Sequence, residues 1–412
     1  MMKQRKSMFE TAGIAALALA VAAACGSSPG GGDGPDGGNT GPDGDGGVFV
    51  DDELSTASGC NGVYNPDQIL DYNLEMAPGD WSSVQADATF SVYYPATLSC
   101  GDETPIMVGV RRKRSGGTEK VGLKIDINEY VAGQTWFGIK KLSLENGVST
   151  GETITVGGIV AEYMGWRVMV LARPHTGRAA LAQFHVNGES LGVYVNVEQV
   201  DKRFLGSHFG DKSGWLFKHS GGDGDGYKTN EGIANPYADY FCFWDTQQCP
   251  TPTAAELATT LPDKLDIPQI LRMGAANAIM ANTDSPIFKN NNYYFYDWAG
   301  GREYLPWDLD TTQRDTNYDL FAGGGGGQTA RYVEVLFINW EDDYAQIARD
   351  LVAGPLSLES LEQELSRIEQ VSGAALDADA YAQGDTASTV ASLRTWWQAR
   401  VPTVKTQLDA HP

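Results

Sequence analysis

The sequence predicts an α+β fold in which a β-rich lobe over residues 51–215 precedes a mainly helical lobe over residues 216–412. Three observations predict it. Between Asp51 and Gly210, short runs of β-branched and aromatic residues are punctuated by Gly and Asn. Within them, Phe184-His185-Val186, then Asn187-Gly188, then Leu191 to Val197 is a hairpin pattern, because Asn-Gly accepts the positive φ of a type I′ turn. Towards the C-terminus, apolar residues recur three and four apart, the spacing of one helix face.

In chain order, residues 1–25 read as a targeting segment. Lys3, Arg5 and Lys6 form a positive start, and Ala12 to Ala24 is a small, apolar stretch too short to span a bilayer. Ala22-Ala23-Ala24-Cys25 resembles a bacterial lipobox, so cleavage before Cys25 and lipidation of its thiol are expected, with ordinary cleavage after Ala24 as the alternative. The mature protein is then exported and held at the cell envelope by its lipid. Residues 26–50, rich in Gly, Asp and Pro, have almost nothing to bury and describe an acidic tether.

The net charge of -23, from 53 acids against 30 bases, disfavours nucleic acid and anionic membrane surfaces as partners. Besides Cys25 the chain has Cys60, Cys100, Cys242 and Cys249, and export makes disulfides the expected use. Proximity favours Cys60 with Cys100 and Cys242 with Cys249, although three pairings are formally possible.

In the first lobe, Ile106 to Arg114, Val121 to Tyr130, Ile159 to Leu171 and Ala182 to Val197 read as extended runs. Val193, Val195 and Val197 share one face, and Glu198 ends that strand. Arg111 to Arg114, Gly116-Gly117, Lys120 and Lys124 make the main basic cluster of an acidic protein. It suits either a phosphate site or a strand edge blunted by charge.

The second lobe centres on Asp266 to Asp310. Asp266 is an N-cap, Pro268 suits the first turn, and Ile267, Ile270, Leu271, Gly274 and Ala278 form one face of a helix ending near Asn282-Thr283-Asp284. Lys289 to Asn292, Tyr293 to Tyr296, a turn at Ala299-Gly300-Gly301, and Glu303 to Trp307 then read as a hairpin. A turn centred on Gly300 would place Asn292 opposite Asp308 and Asn290 opposite Asp310, with both acids on one face. Asp284, Asp308, Asp310 and the Asn amides would so converge as hard oxygen donors suited to Mg²⁺, Mn²⁺ or Ca²⁺, without the His or Cys that zinc prefers. Asx residues also serve turns and caps at such junctions.

Further on, Ser357 caps a helix through Leu358, Leu361, Leu365 and Ile368, with Gly373 as its stop. Val390, Leu393, Trp397, Val401, Val404 and Leu408 mark a last helix, bent at Pro402. Gly323 to Gly327 lacks the Lys and Ser/Thr that would make a phosphate loop. Gly-x-Ser-x-Gly, His-Glu-x-x-His and strand-linked Gly-x-Gly-x-x-Gly are missing, and His175, His185, His208, His219 and His411 are scattered.

Four blocks in order resemble the spore coat CotH kinase family, whose members have an atypical protein-kinase-like two-lobed fold. They are Arg111 to Ile127, "HVNGESLGVYVNVEQVDKRFLGSHFGDKSGWLFK" from His185 to Lys218, "ANTDSPIFKNNNYYFYD" from Ala281 to Asp297, and "YLPWDLDTT" from Tyr304 to Thr312. Trp396-Trp397 and Arg400 are similar to the family's closing segment. The resemblance implies a catalytic-loop role for Asp284, metal ligation by Asn292 or Asn291, and Mg²⁺ or Mn²⁺ on Asp308, with Asp310, bridging ATP phosphates. It also implies that Lys120 faces the phosphates with Glu198 as its partner, and that Trp307 borders the nucleotide. Two features depart from the family pattern: the phosphate loop reads "RRKRSGGTEK", and Asp284 lies farther from Asn292.

The expected function is phosphate transfer from a nucleotide to a Ser or Thr hydroxyl, on the protein itself or on a surface or coat protein. The alternative is a non-catalytic surface lipoprotein in adhesion or envelope assembly, with the acids binding Ca²⁺ or capping.

Overall fold

The structure is a computed structural model. It describes residues 52–411 apart from 115, 116, 118, 149–152, 220–225, 237–253, 264, 286–288, 290 and 322–330. The targeting segment, the tether, Cys25, Cys242, Cys249, Asn290 and the Gly323 to Gly327 run therefore lie outside the described residues. The described residues belong to one compact unit.

Seven strands close into a barrel. They are β1 (Leu70–Glu75), β2 (Tyr94–Cys100), β3 (Ile106–Arg112), β4 (Leu123–Asp126), β5 (Lys141–Glu145), β6 (Ala179–Val186) and β7 (Glu189–Val197). Their order is β1-β2-β3-β4-β5-β7-β6, and a parallel β1/β6 pairing closes the ring. β6 and β7 are the expected hairpin, with Asn187 at φ 52° and Gly188 at φ 80°, the left-handed pair of a type I′ turn. Tyr72, Leu98, Val108, Leu123, Ile125, Leu142 and Phe184 fill the interior. A disulfide joins Cys60 to Cys100 beside it.

Between β5 and β6 the chain forms α3 (Val156–Ala172), preceded by the short α1 (Glu53–Thr56) and α2 (Pro78–Ala86). This corrects the reading of Ile159 to Leu171 as extended. Thr155 caps the helix by accepting from Gly158 N, and Glu162, Gly165, Trp166 and Arg167 are buried along with the apolar residues. A helix buried all round has no apolar stripe, so its β-branched run cannot be told from a buried strand by period.

The rest comprises α4 (Lys202–Phe209), β8 (Trp215–His219), β9 (Gly226–Tyr227), α5 (Ala254–Thr260), α6 (Ile267–Ile279), β10 (Tyr293–Trp298), β11 (Gly301–Pro306), α7 (Arg331–Ala353), α8 (Leu358–Asp377) and α9 (Thr386–Asp409). The fold is thus α+β, with a β-rich N-terminal region and helices toward the C-terminus. The later strands form a second sheet, β11-β10-β8-β9. α3 packs against β6, β7, α6, α8 and α9, so it is the beam on which barrel and helices meet. Asp266 caps α6 by accepting from Gln269 N, as expected.

Two further expectations are corrected. Gly373 does not stop its helix: α8 runs to Asp377, and Gly373 is buried where a Cβ would stand 3.6 Å from Thr386 Cγ2, so the glycine serves close packing of α8 on α9. The β10/β11 register pairs Trp298 with Gly301 and Tyr293 with Pro306, and Trp307 N donates to Asn292 O at 3.1 Å. Trp307, not Asp308, therefore faces Asn292, because the turn holds two residues, Ala299 and Gly300, and not three. Pro402 lies inside α9. Among the described residues, no helix is long and apolar enough to cross a membrane.

Candidate functional site

A cleft of about 540 Å³ opens between the wall of β3, β4 and β5, the first turns of α3, and the segment leaving β11. Lys113, Lys124, Glu162, Trp307, Asp308 and Asp310 are among its lining residues.

The barrel contributes the cations. β4 places Lys124 between Arg111 of β3 and Ser143 of β5 in register. Lys113, just beyond β3, donates to Ser143 Oγ at 3.0 Å and forms an ion pair with Glu145. Its ammonium stands 6.0 Å from the Trp307 ring centroid, and that of Lys218 from β8 stands 4.7 Å from the same ring. Burial and the charge of Lys218 hold the Lys113 pKa down to about 7, against the pull of Glu162 and Asp308. Burial pushes the Lys124 ammonium well below the usual lysine range, and Lys113, Lys141, Lys218 and Arg111 add to it.

The acids come from two elements. Glu162 projects from α3 and is 4% exposed; burial, then Asp308 and Asp310, push its pKa well up. After β11 the chain leaves the extended region at Asp308, which sits at φ 57°, a conformation costly for a residue other than Gly. Strand alternation therefore does not bring Asp308 and Asp310 together; this turn does, with Leu309 buried between them. Gly165 of α3 permits it, since a Cβ there would stand 3.1 Å from Leu309 Cβ. Burial raises Asp308, opposed by Lys113 and Lys218. Burial, Asp308 and Asp284 raise Asp310 to about 7.

Asp284 does not line the cleft. Its carboxylate accepts from Lys289 Nζ at 2.5 Å, Asn291 Nδ2 at 3.0 Å and Asn292 Nδ2 at 2.9 Å. Asn282 fixes its approach: Oδ1 accepts from Asp284 N and from Thr311 Oγ1, both at 3.1 Å, which ties the end of α6 to the acidic turn. The Asn amides expected to ligate metal thus spend their donors on Asp284, and Asn291 Oδ1 is buried with no hydrogen-bond partner.

Lys120 and Glu198 do not meet and do not reach the cleft. Lys120 pairs with Asp379 at 2.6 Å with both side chains fully buried. Glu198 takes Arg178, at 2.8 Å, and Arg203, at 3.3 Å, and Arg178 and Arg203 also hold Asp52. Lys120 lies in the loop between β3 and β4, and three lysines within a dozen residues offered no local sign of which turns inward. Lys218 and Glu162 are cleft residues that sequence reasoning missed, and Lys113 was seen only as part of the Arg111 to Arg114 basic cluster. One signal was available for Glu162: apart from Arg167, it is the sole charged residue of an otherwise apolar stretch from Val156 to Ala172.

Among the described residues, no three His, Cys, Asp or Glu side chains are grouped to hold a metal by themselves. Two carboxylates from one turn, of which Asp308 raises the proton affinity of Asp310, are nevertheless hard donors, as is the unpartnered amide oxygen of Asn291. They fit Mg²⁺ or Mn²⁺, which take one or two carboxylates and complete their shell with phosphate oxygens and water.

A model of one protein family, described as CotH kinase protein, matches residues 114–408. No curated protein matches the chain.

Proposed function

The chain belongs to the CotH kinase protein family, and on that premise we propose that it is an envelope-anchored kinase, lipidated at Cys25, that transfers the γ-phosphate of ATP to a Ser or Thr hydroxyl on itself or on a surface protein. One observation carries the reading: Lys113 faces Glu162 and Asp308 across a single cleft whose other cations are Lys124 and Lys218. Phosphoryl transfer needs charge neutralisation and positioning more than covalent help, and that is the chemistry of these residues.

In this reading Lys113 and Lys218 bind phosphate oxygens, and Glu162 orients Lys113. Trp307 walls the cleft and excludes water. Asp308 and Asp310 hold Mg²⁺ or Mn²⁺, which when bound neutralises phosphate charge. Asp284, oriented by Lys289, Asn291 and Asn292, receives or orients the acceptor hydroxyl proton. Lys113 replaces Lys120, and Glu162 replaces Glu198, in the roles the family resemblance implied.

The test is label transfer from γ-labelled ATP by the full chain with Mg²⁺ or Mn²⁺, beside Asp308→Asn, Asp284→Asn and Lys113→Met. Metal-dependent labelling lost in all three supports the kinase. No labelling, with no thermal shift on adding nucleotide and metal, leaves a non-catalytic surface protein, and a thermal shift on Ca²⁺ alone would then give the acids their use.

A further inference from the structure

Beyond Lys124 the cleft continues into a second compartment of about 420 Å³ beside Gln199-Val200-Asp201. The two share Arg111, Lys124, Gln199, Lys218, Lys228 and Tyr294, so one ligand can occupy both. Lys141 and Lys202 line the outer compartment and not the inner one.

The outer compartment is cationic in a chain of net charge -23. Six basic residues line it, namely Arg111, Lys124, Lys141, Lys202, Lys218 and Lys228, and Asp201 is the one acid among its described lining residues. The Asp201 carboxylate is engaged in capping α4, accepting from Arg203 N at 2.8 Å and Phe204 N at 3.2 Å. Lys141 is paired with Asp126 at 2.7 Å.

Arg111 and Lys124 are direct cross-strand neighbours; Arg111 donates to Phe90 O at 2.5 Å and Lys124 to Gln199 Oε1, yet each still opposes the charge of the other, as like charges so placed do in a sheet. An anion between the strands removes that opposition. A purine alone does not: it is neutral and asks for an apolar slot with one or two backbone hydrogen bonds.

We propose that the outer compartment is a second anion subsite, which binds a phosphate group carried at the opposite end of the ligand from the phosphates held at Lys113. The inference rests on the reading that the inner compartment takes phosphates. Two ligand types share the required chemistry, a linear inorganic polyphosphate and a nucleotide phosphorylated on its ribose as well as at the 5′ position.

The experiment is calorimetric binding to the full chain at fixed ionic strength, which suppresses diffuse surface attraction. The probes are ATP, tripolyphosphate against long-chain polyphosphate, and adenosine 5′-monophosphate against adenosine 3′,5′-bisphosphate, each with Mg²⁺. The proteins are wild type, Lys141→Gln/Lys202→Gln, and Lys405→Gln as an exposed control. A two-ended ligand is expected to bind about tenfold more tightly than its one-ended counterpart, and the double variant to erase that gain while ATP affinity stays within about twofold. A gain confined to long-chain polyphosphate identifies the linear chain, and one confined to the bisphosphate identifies the nucleotide.

Equal affinities for one- and two-ended ligands, or equal weakening by Lys405→Gln, overturn the proposal. If the double variant does not fold, Lys202→Gln alone, at an exposed position, carries the same comparison. Label transfer from ATP without a two-ended gain keeps the kinase reading and removes this one; a two-ended gain without transfer does the reverse.

Discussion

Lys120 and Asp379, 259 residues apart in sequence, form an ion pair of 2.6 Å with both side chains fully buried. Each also bonds β7: Lys120 Nζ donates to Val193 O at 2.7 Å, and Val193 N donates to Asp379 Oδ2 at 2.8 Å. The pair pins the loop between β3 and β4 to the connection between α8 and α9, and Gly192 makes room for it, since a Cβ there would lie 2.2 Å from the Asp379 carboxylate.

Lys120→Met strands the Asp379 carboxylate in the interior and is expected to cost about 3–5 kcal/mol, the usual loss when one partner of a buried pair is removed. Thermal or denaturant unfolding reads the loss. ATP affinity of the folded fraction should hold; a tenfold fall would return Lys120 to the cleft.

Lys113→Met should do the opposite. Burial depresses the Lys113 pKa, so the charged ammonium costs folding energy near neutral pH and stability should hold or rise, while affinity for ATP should fall at least about tenfold. Because Lys113 is charged below about 7 and neutral above it, wild-type affinity for metal-free tripolyphosphate should weaken as pH rises from 6 to 8. Calorimetry at several pH values checks both.

Asp310 carries the reverse dependence. Its folded pKa is raised from 3.8 to about 7, so Mn²⁺ must displace a proton below that value. Affinity should climb about tenfold per pH unit up to neutrality and then level. Asp310→Asn should make the slope shallower, leaving the part that Asp308, also raised, contributes. The raised pKa also means that its contribution to folding is present at low pH and lost as pH rises through 7, so Asp310→Asn should raise the melting temperature at pH 8 and not at pH 4.

His208 is a buried neutral imidazole. It is 7% exposed, neither ring nitrogen has a partner, and its ring stacks on Phe204 with centroids 3.9 Å apart. Burial lowers its pKa from 6.5 to about 4, outweighing the charge of Glu198, with His175, Arg178 and Arg203 adding to the depression. A depressed histidine pKa takes up fewer protons in the folded state, so stability is lost as pH falls from 6.5 towards 4, by up to about 3 kcal/mol. His208→Phe should flatten that loss in melting curves taken from pH 7 to pH 4.5, at little cost at pH 7.

Local chemistry was legible in the chain by itself. Asn187-Gly188 specifies its turn and Asp266 its cap, because each interaction lies within a few residues, and Cys60 is bridged to Cys100 as expected. That Asp308 and Asp310 line one cleft was legible for a similar reason: both acids come from one short segment.

What only the tertiary structure decided is which charges face one another. Ile159 to Leu171 had the composition of a strand, and only the packed helix places Glu162, an odd charge in an apolar stretch, near Asp308. A turn one residue shorter moved Asn292 from Asp308 to Trp307. Lys120 left the cleft because Asp379, supplied by a distant connection, offered a buried partner, and Lys113 entered it beside Ser143 and Glu145. Electrostatic energy depends on distance in space and on the water excluded around a pair, and neither is encoded in the spacing of residues along the chain.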